Sequence, residues 1–185
     1  MRKRVRLFTH GDKKSGMADP GLTEKGIAEM QSLRPYLLDN PSTTGCGTGN
    51  RHNDSASAIG VVPNFRADWI GNADSMEVIG DRKGIVLKDG TMVNPAEYNG
   101  LKDMAPTAIA NIISSPNDTQ LIGGRPDGVM ANIMLGTLVD EAVGKLDLES
   151  ASVYDFLIEE DKIVEVIKIA GAGEVDLTLR YNAKK

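Results

Sequence analysis

Three short stretches of the sequence place polar or basic side chains beside glycines. They are residues 8–12 (FTHGD), 47–54 (GTGNRHND) and 122–128 (IGGRPDG). Glycine lets a backbone approach a ligand closely, and arginine matches the oxygens of a phosphate group with paired hydrogen bonds. Four side chains could therefore converge on one phosphate pocket: His10, Arg51, His52 and Arg125.

The elements that must position these side chains alternate between strand and helix patterns. Residues 5–8 and 119–124 have strand patterns, and the turn-rich run 40–50 would hold the last residues of another strand. Residues 22–39 show helical spacing of apolar side chains, with Thr23 as the predicted N-cap. This alternation predicts an α/β sheet with helices on its faces. Sites in such sheets form where strands end and loops begin.

Breaks in these patterns predict where the first elements end. Pro35 lies inside the first helical pattern and should kink the helix or restart it. Residues 51–60 favour a short helix, and residues 60–65 a short strand after it. Residues 11–21 hold three glycines, Pro20 and several charges, and are predicted to form a loop.

The second half of the chain predicts two hairpins and one more helix. Residues 84–94 resemble a small hairpin turning at Asp89-Gly90, a favoured two-residue turn. Pro126 suits the first position of a helix that would continue beyond it. Residues 152–169 favour two strands joined by an acidic turn.

Composition limits the class of protein. The chain has 185 residues, of which 41% are hydrophobic, which is enough for one domain with a sizeable core. The net charge of −5 argues against a nucleic-acid partner. No apolar run approaches the ~20 residues that a membrane span needs. No signal-peptide segment follows the basic start, so a cytoplasmic location is expected. The scarce aromatic residues leave a homo-oligomer open.

The strand ends and the loop between them resemble the histidine phosphatase family, the phosphoglycerate-mutase-like group. Its signature is a strand ending in Arg-His-Gly, then a loop, then Leu-Thr-x-x-Gly opening a helix. Here residues 7–16 (LFTHGDKKSG) and 19–30 (DPGLTEKGIAEM) match that layout. Residues 47–60 (GTGNRHNDSASAIG) match the segment that carries a pocket arginine, and residues 119–135 (TQLIGGRPDGVMANIML) take the place of the final motif. The resemblance is thin between residues 60 and 119.

The resemblance implies a three-layer α/β/α sandwich with a mostly parallel sheet, as one domain spanning residues 1–185. A loop or hairpin insertion at about 66–104 would cover the pocket. In such enzymes the first histidine is the nucleophile and is transiently phosphorylated, while basic residues bind the phosphoryl oxygens. By resemblance His10 is the nucleophile and Arg51 a phosphate clamp, with Gly11 beside them.

The general acid of this family comes from the middle of the chain. There the sequence offers Asp74, Glu77 and Asp81, and we favour Asp74 and Glu77 as catalytic carboxylates. Such an acid protonates the leaving oxygen. A solvated loop charge is the commoner fate of residues of this kind.

Two positions depart from the family pattern. Thr9 stands where the family has its first arginine, and the second histidine is absent, with Arg125 nearest to its place. Thr9 offers a hydroxyl but no charge, and Arg125 restores a positive charge. Phosphate binding is therefore expected at Thr9, Gly11, Arg51 and Arg125. Losing one preorganised donor lowers the rate of reaction by a factor of about 10²–10³. The change at Thr9 is therefore expected to weaken hydrolysis more than phosphate binding.

Two functions follow from this pattern. One is a domain that binds a phosphorylated small molecule and hydrolyses a phosphate monoester slowly through a phosphohistidine at His10. The alternative is a catalytically impaired relative that serves as a phosphate-ligand sensor or a protein-interaction module. The sequence alone leaves open whether the protein is an enzyme.

Other signals near the candidate site are weaker. His52 is expected to point away from Arg51 on a short helix and to serve the structure, and Cys46 to be a small buried residue. The spacing of Cys46 and Arg51 does not fit a tyrosine-phosphatase loop, and residues 45–50 (GCGTGN) lack the Gly-Lys-Ser/Thr of a P-loop. Two histidines without a close carboxylate pair give no metal pattern, so no metal or cofactor is expected.

Overall fold

The computed structural model describes residues 1–71, 85–86, 92–93, 105–124, 151–171 and 178–180. The strands in chain order are β1 (Lys3–Thr9), β2 (Thr43–Cys46), β3 (Phe65–Arg66), β4 (Ile85–Val86), β5 (Met92–Val93), β6 (Thr119–Gly123), β7 (Ser152–Glu159), β8 (Lys162–Gly171) and β9 (Thr178–Arg180). The helices are α1 (Glu24–Ser32), α2 (Asn50–Ile59) and α3 (Ala105–Ser114), with a short 3-10 helix at Arg34–Tyr36.

The described part of the chain forms a seven-stranded sheet in the order β3-β2-β6-β1-β7-β8-β9. Strands β3, β2, β6 and β1 pair in parallel. Strand β7 runs antiparallel to β1, and β8 and β9 follow by antiparallel pairing. Strand β8 therefore points the same way as β1, so five of the seven strands share one direction. The predicted α/β fold with a mostly parallel sheet is confirmed.

Alternating residues of β1 face two separate hydrophobic clusters. Val5 and Leu7 pack in one cluster with Ala108 and Ile112 of α3. Phe8 packs in the other cluster, together with residues of α1 and α2. Successive side chains of a strand point to opposite faces, so helices cover the sheet on both sides. This is the predicted three-layer arrangement.

Helix α1 begins as its sequence predicts. The Thr23 side chain accepts a hydrogen bond from the Gly26 backbone N–H at 3.0 Å, which satisfies one of the free amides of the first turn. Pro35 follows the helix and opens the 3-10 helix, so the predicted restart is confirmed. Met30 is fully buried, whereas Ile27, one turn earlier on the helix, is exposed.

Two of the remaining element predictions are confirmed and one is wrong. Helix α2 covers the predicted residues 51–60 closely, and β7 and β8 are joined at Glu160 and Asp161, which adopt positive φ angles. The strand predicted at 60–65 is absent there, since only Phe65 pairs, together with Arg66. Gly60 ends α2 in the left-handed conformation at φ 81°, and the chain then needs several residues to return to the sheet.

The middle of the chain is described in part. Strands β4 and β5 pair antiparallel, as the predicted hairpin requires, while its turn at Asp89-Gly90 lies outside the described residues. The helix predicted from Pro126 also lies outside them. The single-domain organisation with an insertion at 66–104 stays a prediction. Among the described residues, no helix combines the length and apolar character needed to cross a membrane.

An ion pair beneath the second cluster gives a stability test. Arg6 donates to both carboxylate oxygens of Asp155 at 2.7 Å, and the two side chains are only 12% and 8% exposed. Asp155→Asn leaves a buried guanidinium without a counter-charge, so we expect the free energy of unfolding to fall by about 3 kcal/mol. Urea denaturation measures the change.

Asp118→Asn is the matched control for this test. The Arg4–Asp118 pair joins the same kinds of group, but its side chains are more than a third exposed. An exposed pair contributes at most about 1 kcal/mol. Equal losses in the two variants would contradict the role given to burial.

Candidate functional site

The candidate site lies at the carboxyl ends of β1, β6 and β2. Thr9 pairs with Gly123 in the sheet, and Cys46 pairs with Ile122. The third of the three polar, glycine-containing stretches therefore begins between the first two, at one edge of the sheet. This is the edge at which open α/β sheets bind ligands.

The backbone of His10 is fixed between two strands. Its N–H donates to the Gly123 carbonyl at 3.0 Å, and its carbonyl accepts from the Ala151 N–H at 2.9 Å. Ala151 has a positive φ of 56° at the start of β7. The residue after β1 thus has little freedom to move, and the side chain of His10 leaves the backbone from a defined point.

The neutral imidazole of His10 is held in one tautomer. Its Nδ1 lies 2.7 Å from the carbonyl oxygen of Gly11, and the residue is only 4% exposed. A carbonyl oxygen can only accept a hydrogen bond, so we assign the ring proton to Nδ1. The lone pair is then on Nε2, which is the nitrogen that can act as a nucleophile.

Two glycines allow α1 to approach this loop. A Cβ on Gly11 would lie 2.3 Å from the Gly26 carbonyl oxygen, and a Cβ on Gly26 would lie 2.1 Å from the Asp12 carbonyl oxygen. Real side chains do not reach such distances, so both positions need glycine. The Gly of the Leu-Thr-x-x-Gly pattern is thereby explained by backbone contact with the His10 loop.

Further hydrogen bonds attach the loop after His10 to both helices. Glu29 of α1 accepts from the Asp12 N–H at 2.9 Å, and the Thr23 hydroxyl donates to the Asp12 carboxylate at 2.8 Å. Asp54 of α2 accepts from the Leu22 N–H at 2.9 Å. The loop is therefore anchored close to His10 and again at its far end.

Arg51 lies in the first turn of α2, directly after the end of β2. The residue is only 7% exposed, and its backbone carbonyl accepts from the Ser55 hydroxyl at 2.7 Å. Helix α2 begins where Asp19 accepts from the Asn50 N–H at 2.8 Å. Asp19 adopts a positive φ of 46° in the loop. The loop from β1 thus caps the helix that carries the predicted clamp.

His52 lies inside the site and contacts His10. The two imidazole rings have centroids 5.5 Å apart and are tilted by 57°. A Cβ on Gly47 would lie 2.4 Å from Nδ1 of His52, and one on Gly71 would lie 2.4 Å from Cε1. The ring therefore occupies a slot between two glycines. This position brings together two of the four side chains that were expected to converge, while the expectation that His52 points away from Arg51 stays a prediction.

The environment of His52 keeps its ring neutral. Burial, together with the nearby positive charge of Arg51, lowers its pKa to about 3, while the Gly71 backbone opposes the shift. Within the described part of the chain, neither ring nitrogen has a hydrogen-bond partner of ordinary geometry. Arg51 therefore lies close enough to act on His52 electrostatically.

Thr9 uses its hydroxyl for the sheet. The oxygen accepts from the Ser152 N–H at 2.9 Å, and it lies 3.4 Å from the Ser152 carbonyl oxygen. Thr9 is fully buried, at the position where β1 ends. It brings no charge to the site, and its predicted contact with phosphate stays a prediction.

One carboxylate near the site was missed by the sequence reasoning. Asp68 accepts from the Thr48 hydroxyl at 2.5 Å, and Thr48 comes two residues after the end of β2. The Thr48 N–H also donates to the Gly71 carbonyl at 2.7 Å. Asp68 comes two residues after β3, so its position behind a strand end was the signal available in the sequence.

Several predicted site residues lie outside the described residues. They are Asp74, Glu77 and Arg125, and their roles stay predictions. The Gly124 N–H donates to the Ile70 carbonyl at 2.9 Å, which places the residue before Arg125 beside the segment that carries Asp68. Cys46 is fully buried, and burial raises the pKa of its thiol to about 11, so it is the small buried residue that was expected.

Comparisons with solved structures identify the fold. A protein from Mycobacterium tuberculosis encoded by the open reading frame Rv3214 has a TM-score of 0.60 at 16% identity, covering 95% of this chain and 98% of that one. A phosphoserine phosphatase from Entamoeba histolytica, in complex with 3-phosphoglyceric acid, has a TM-score of 0.59 at 14% identity, covering 90% and 95%.

A third solved structure is the protein histidine phosphatase SixA complexed with tungstate, with a TM-score of 0.53 at 12% identity and 96% coverage of both chains. No protein-family model and no curated protein matches the sequence. The resemblance to the histidine phosphatases is thus confirmed as a shared fold, at 12% to 16% sequence identity.

Because His52 is buried as a neutral ring, we expect the free energy of unfolding to fall in mild acid. In the unfolded chain a histidine takes up a proton near pH 6.5, whereas the pKa of His52 in the folded chain is about 3. Below about pH 6.5 the unfolded state binds the extra proton, so His52 lowers the free energy of unfolding by up to about 1.4 kcal/mol per pH unit.

Urea unfolding at several pH values between 7.5 and 5 measures this slope. His52→Gln cannot be protonated, so this variant should lose the contribution and respond less to acid. An unchanged slope in the variant would mean that His52 is protonated in the folded chain.

Proposed function

We propose that this protein binds a phosphorylated small molecule and hydrolyses its phosphate monoester through a phosphohistidine at His10. The observation that carries the proposal is the 2.7 Å contact between His10 Nδ1 and the Gly11 carbonyl. A buried imidazole oriented in this way presents an unprotonated Nε2 without needing a separate base. The same loop is held by backbone hydrogen bonds on both sides of His10.

The reaction proceeds in two displacements. Nε2 attacks phosphorus, the bond from phosphorus to the ester oxygen breaks, and a carboxylic acid gives that oxygen a proton. Water then attacks the phosphohistidine, the P–N bond breaks, and Nε2 regains its lone pair while inorganic phosphate leaves. The carboxylate that was the acid takes a proton from the water, so protons balance over the cycle.

The positive charge for the phosphoryl group comes from Arg51 and Arg125. Arg51 lies in the first turn of α2, and its positive charge lowers the pKa of the neighbouring His52. Gly11 keeps the backbone close to the ligand, and Thr9 contributes the shape of the pocket floor rather than charge. Because one arginine of the family pattern is replaced by Thr9, we expect slow turnover.

The second candidate is a phosphate-binding protein without turnover. Thr9 favours this candidate for two reasons. Its hydroxyl is hydrogen-bonded to the Ser152 backbone, and a threonine in place of the arginine of the family pattern gives the site one positive charge fewer. Such a protein would be stabilised against heat by phosphate without consuming a phosphate ester.

Hydrolysis of an aryl phosphate between about pH 5 and 8 separates the two candidates. If the protein is an enzyme, we expect the wild type to hydrolyse the ester and the His10→Asn variant to be inactive. The melting temperature of the variant should equal that of the wild type. Tungstate should still raise the melting temperature of that variant. Equal turnover in wild type and variant would assign the activity to a contaminant or to another residue and would contradict the proposal.

The general acid is identified by comparing three carboxylates. Asp68 lies at the described edge of the site, while Asp74 and Glu77 are the carboxylates proposed from the sequence. We expect one of Asp68→Asn, Asp74→Asn and Glu77→Gln to lower kcat by a factor of about 10²–10⁴ with an alkyl phosphate.

An aryl phosphate whose leaving group needs no proton provides the internal control for this comparison. The variant that lacks the acid should be restored toward wild-type turnover with that substrate. If all three variants retain full activity with the alkyl phosphate, none of these three carboxylates is the general acid.

A further inference from the structure

His52 is a buried polar side chain at this site whose place in the reaction is unassigned. Its ring is fully buried, it lies against the nucleophilic imidazole, and both of its nitrogens lack partners among the described residues. The chain has only two histidines, so both of its imidazoles lie at the end of β1.

Packing alone does not account for a histidine in this slot. The space between Gly47 and Gly71 admits a flat ring, and an apolar side chain of similar volume would fill it without burying polar nitrogens. A buried polar group without a partner costs about 1–3 kcal/mol. That cost is removed if a group that enters the site accepts a hydrogen bond from the ring.

The neutral state of the ring suits such a role. A neutral imidazole has one N–H donor and one acceptor nitrogen. A neutral imidazole can be buried away from water beside Arg51, whereas the positive charge of Arg51 would repel an imidazolium. Oxygens of a phosphoryl group are strong acceptors, and a hydrogen bond to a charged acceptor is about twice as strong as one between neutral groups.

We propose that His52 is a phosphoryl-binding residue, donating a ring N–H to an oxygen of the phosphoryl group that His10 attacks. This inference rests on the proposed function of His10. His52 supplies a second imidazole from α2, in a chain that lacks the second histidine that the family pattern has after β6. The donor stands beside the nucleophile and thereby offsets in part the arginine that is missing at Thr9.

Tungstate binding provides the test. Isothermal titration calorimetry is performed on the wild type, on His52→Leu, which fills the slot without a donor, and on Ser57→Ala as an exposed control on the same helix. We expect the Kd to rise about tenfold to a hundredfold in His52→Leu, the range for one hydrogen bond to a charged group, and to stay unchanged in Ser57→Ala.

His52→Gln and His52→Asn distinguish hydrogen bonding from packing. Each carries an amide N–H donor, at a reach similar to Nε2 or Nδ1 respectively. We expect one of them to bind tungstate within about fivefold of the wild type, a difference under about 1 kcal/mol. If both amides bind as weakly as His52→Leu, the effect is one of packing and the inference is overturned.

Nuclear magnetic resonance of the wild type keeps the test independent of variant folding. Protein labelled with ¹⁵N-histidine gives two imidazole spin systems, and His10→Asn assigns them. We expect tungstate to move the His52 N–H proton downfield and to slow its exchange with water. A His52 N–H that is unchanged while tungstate shifts the His10 signals would overturn the inference and leave the proposed function standing.

The two proposals fail in different ways. If the wild type binds neither tungstate nor inorganic phosphate, the site is not a phosphate site, and the role of His52 falls with it. If the wild type binds tungstate and His52→Leu binds it with the same Kd, only the role of His52 is overturned.

Discussion

The site depends on how the end of β1 is held. His10 donates its N–H to Gly123 of β6 and accepts from Ala151 at the start of β7, so its backbone belongs to the sheet although it follows the last residue of the strand. The carbonyl of the next residue, Gly11, then fixes the imidazole through Nδ1. Three backbone groups thus orient one side chain, and they leave Nε2 as the reactive nitrogen. The sheet order places β6 and β7 on either side of β1 and makes this arrangement available.

Elements whose signals are local could be predicted from the sequence. Strand β1, helix α1 with its Thr23 cap, strand β6 and the β7–β8 hairpin each carry a periodic pattern with a start or stop signal within a few residues. These elements sufficed to predict the α/β fold and to place His10 and Arg51 at strand ends on one edge of the sheet. The predicted positions of His10 and Arg51 follow from sheet topology, because the carboxyl ends of parallel strands lie at one edge of the sheet.

The features that could not be predicted depend on residues far apart in the chain. The hydroxyl of Thr9 bonds to Ser152, 143 residues away, because β7 pairs with β1. His52 turns toward His10 because Gly47 and Gly71 open a slot for its ring. A one-turn helical pattern does not reveal such a slot. Asp68 was overlooked because β3 has only two residues, too few to show a strand period.

The central claim is that Nε2 of His10 takes up the phosphoryl group. The most direct measurement mixes the protein with an aryl phosphate, stops the reaction in base, and maps phosphorylation by ³¹P resonance and by mass spectrometry of peptides. The account predicts a base-stable, acid-labile phosphoramidate on His10 that is absent from the His10→Asn variant. An enzyme that turns over the ester without any phosphohistidine, or with phosphate bound to another side chain, would contradict it.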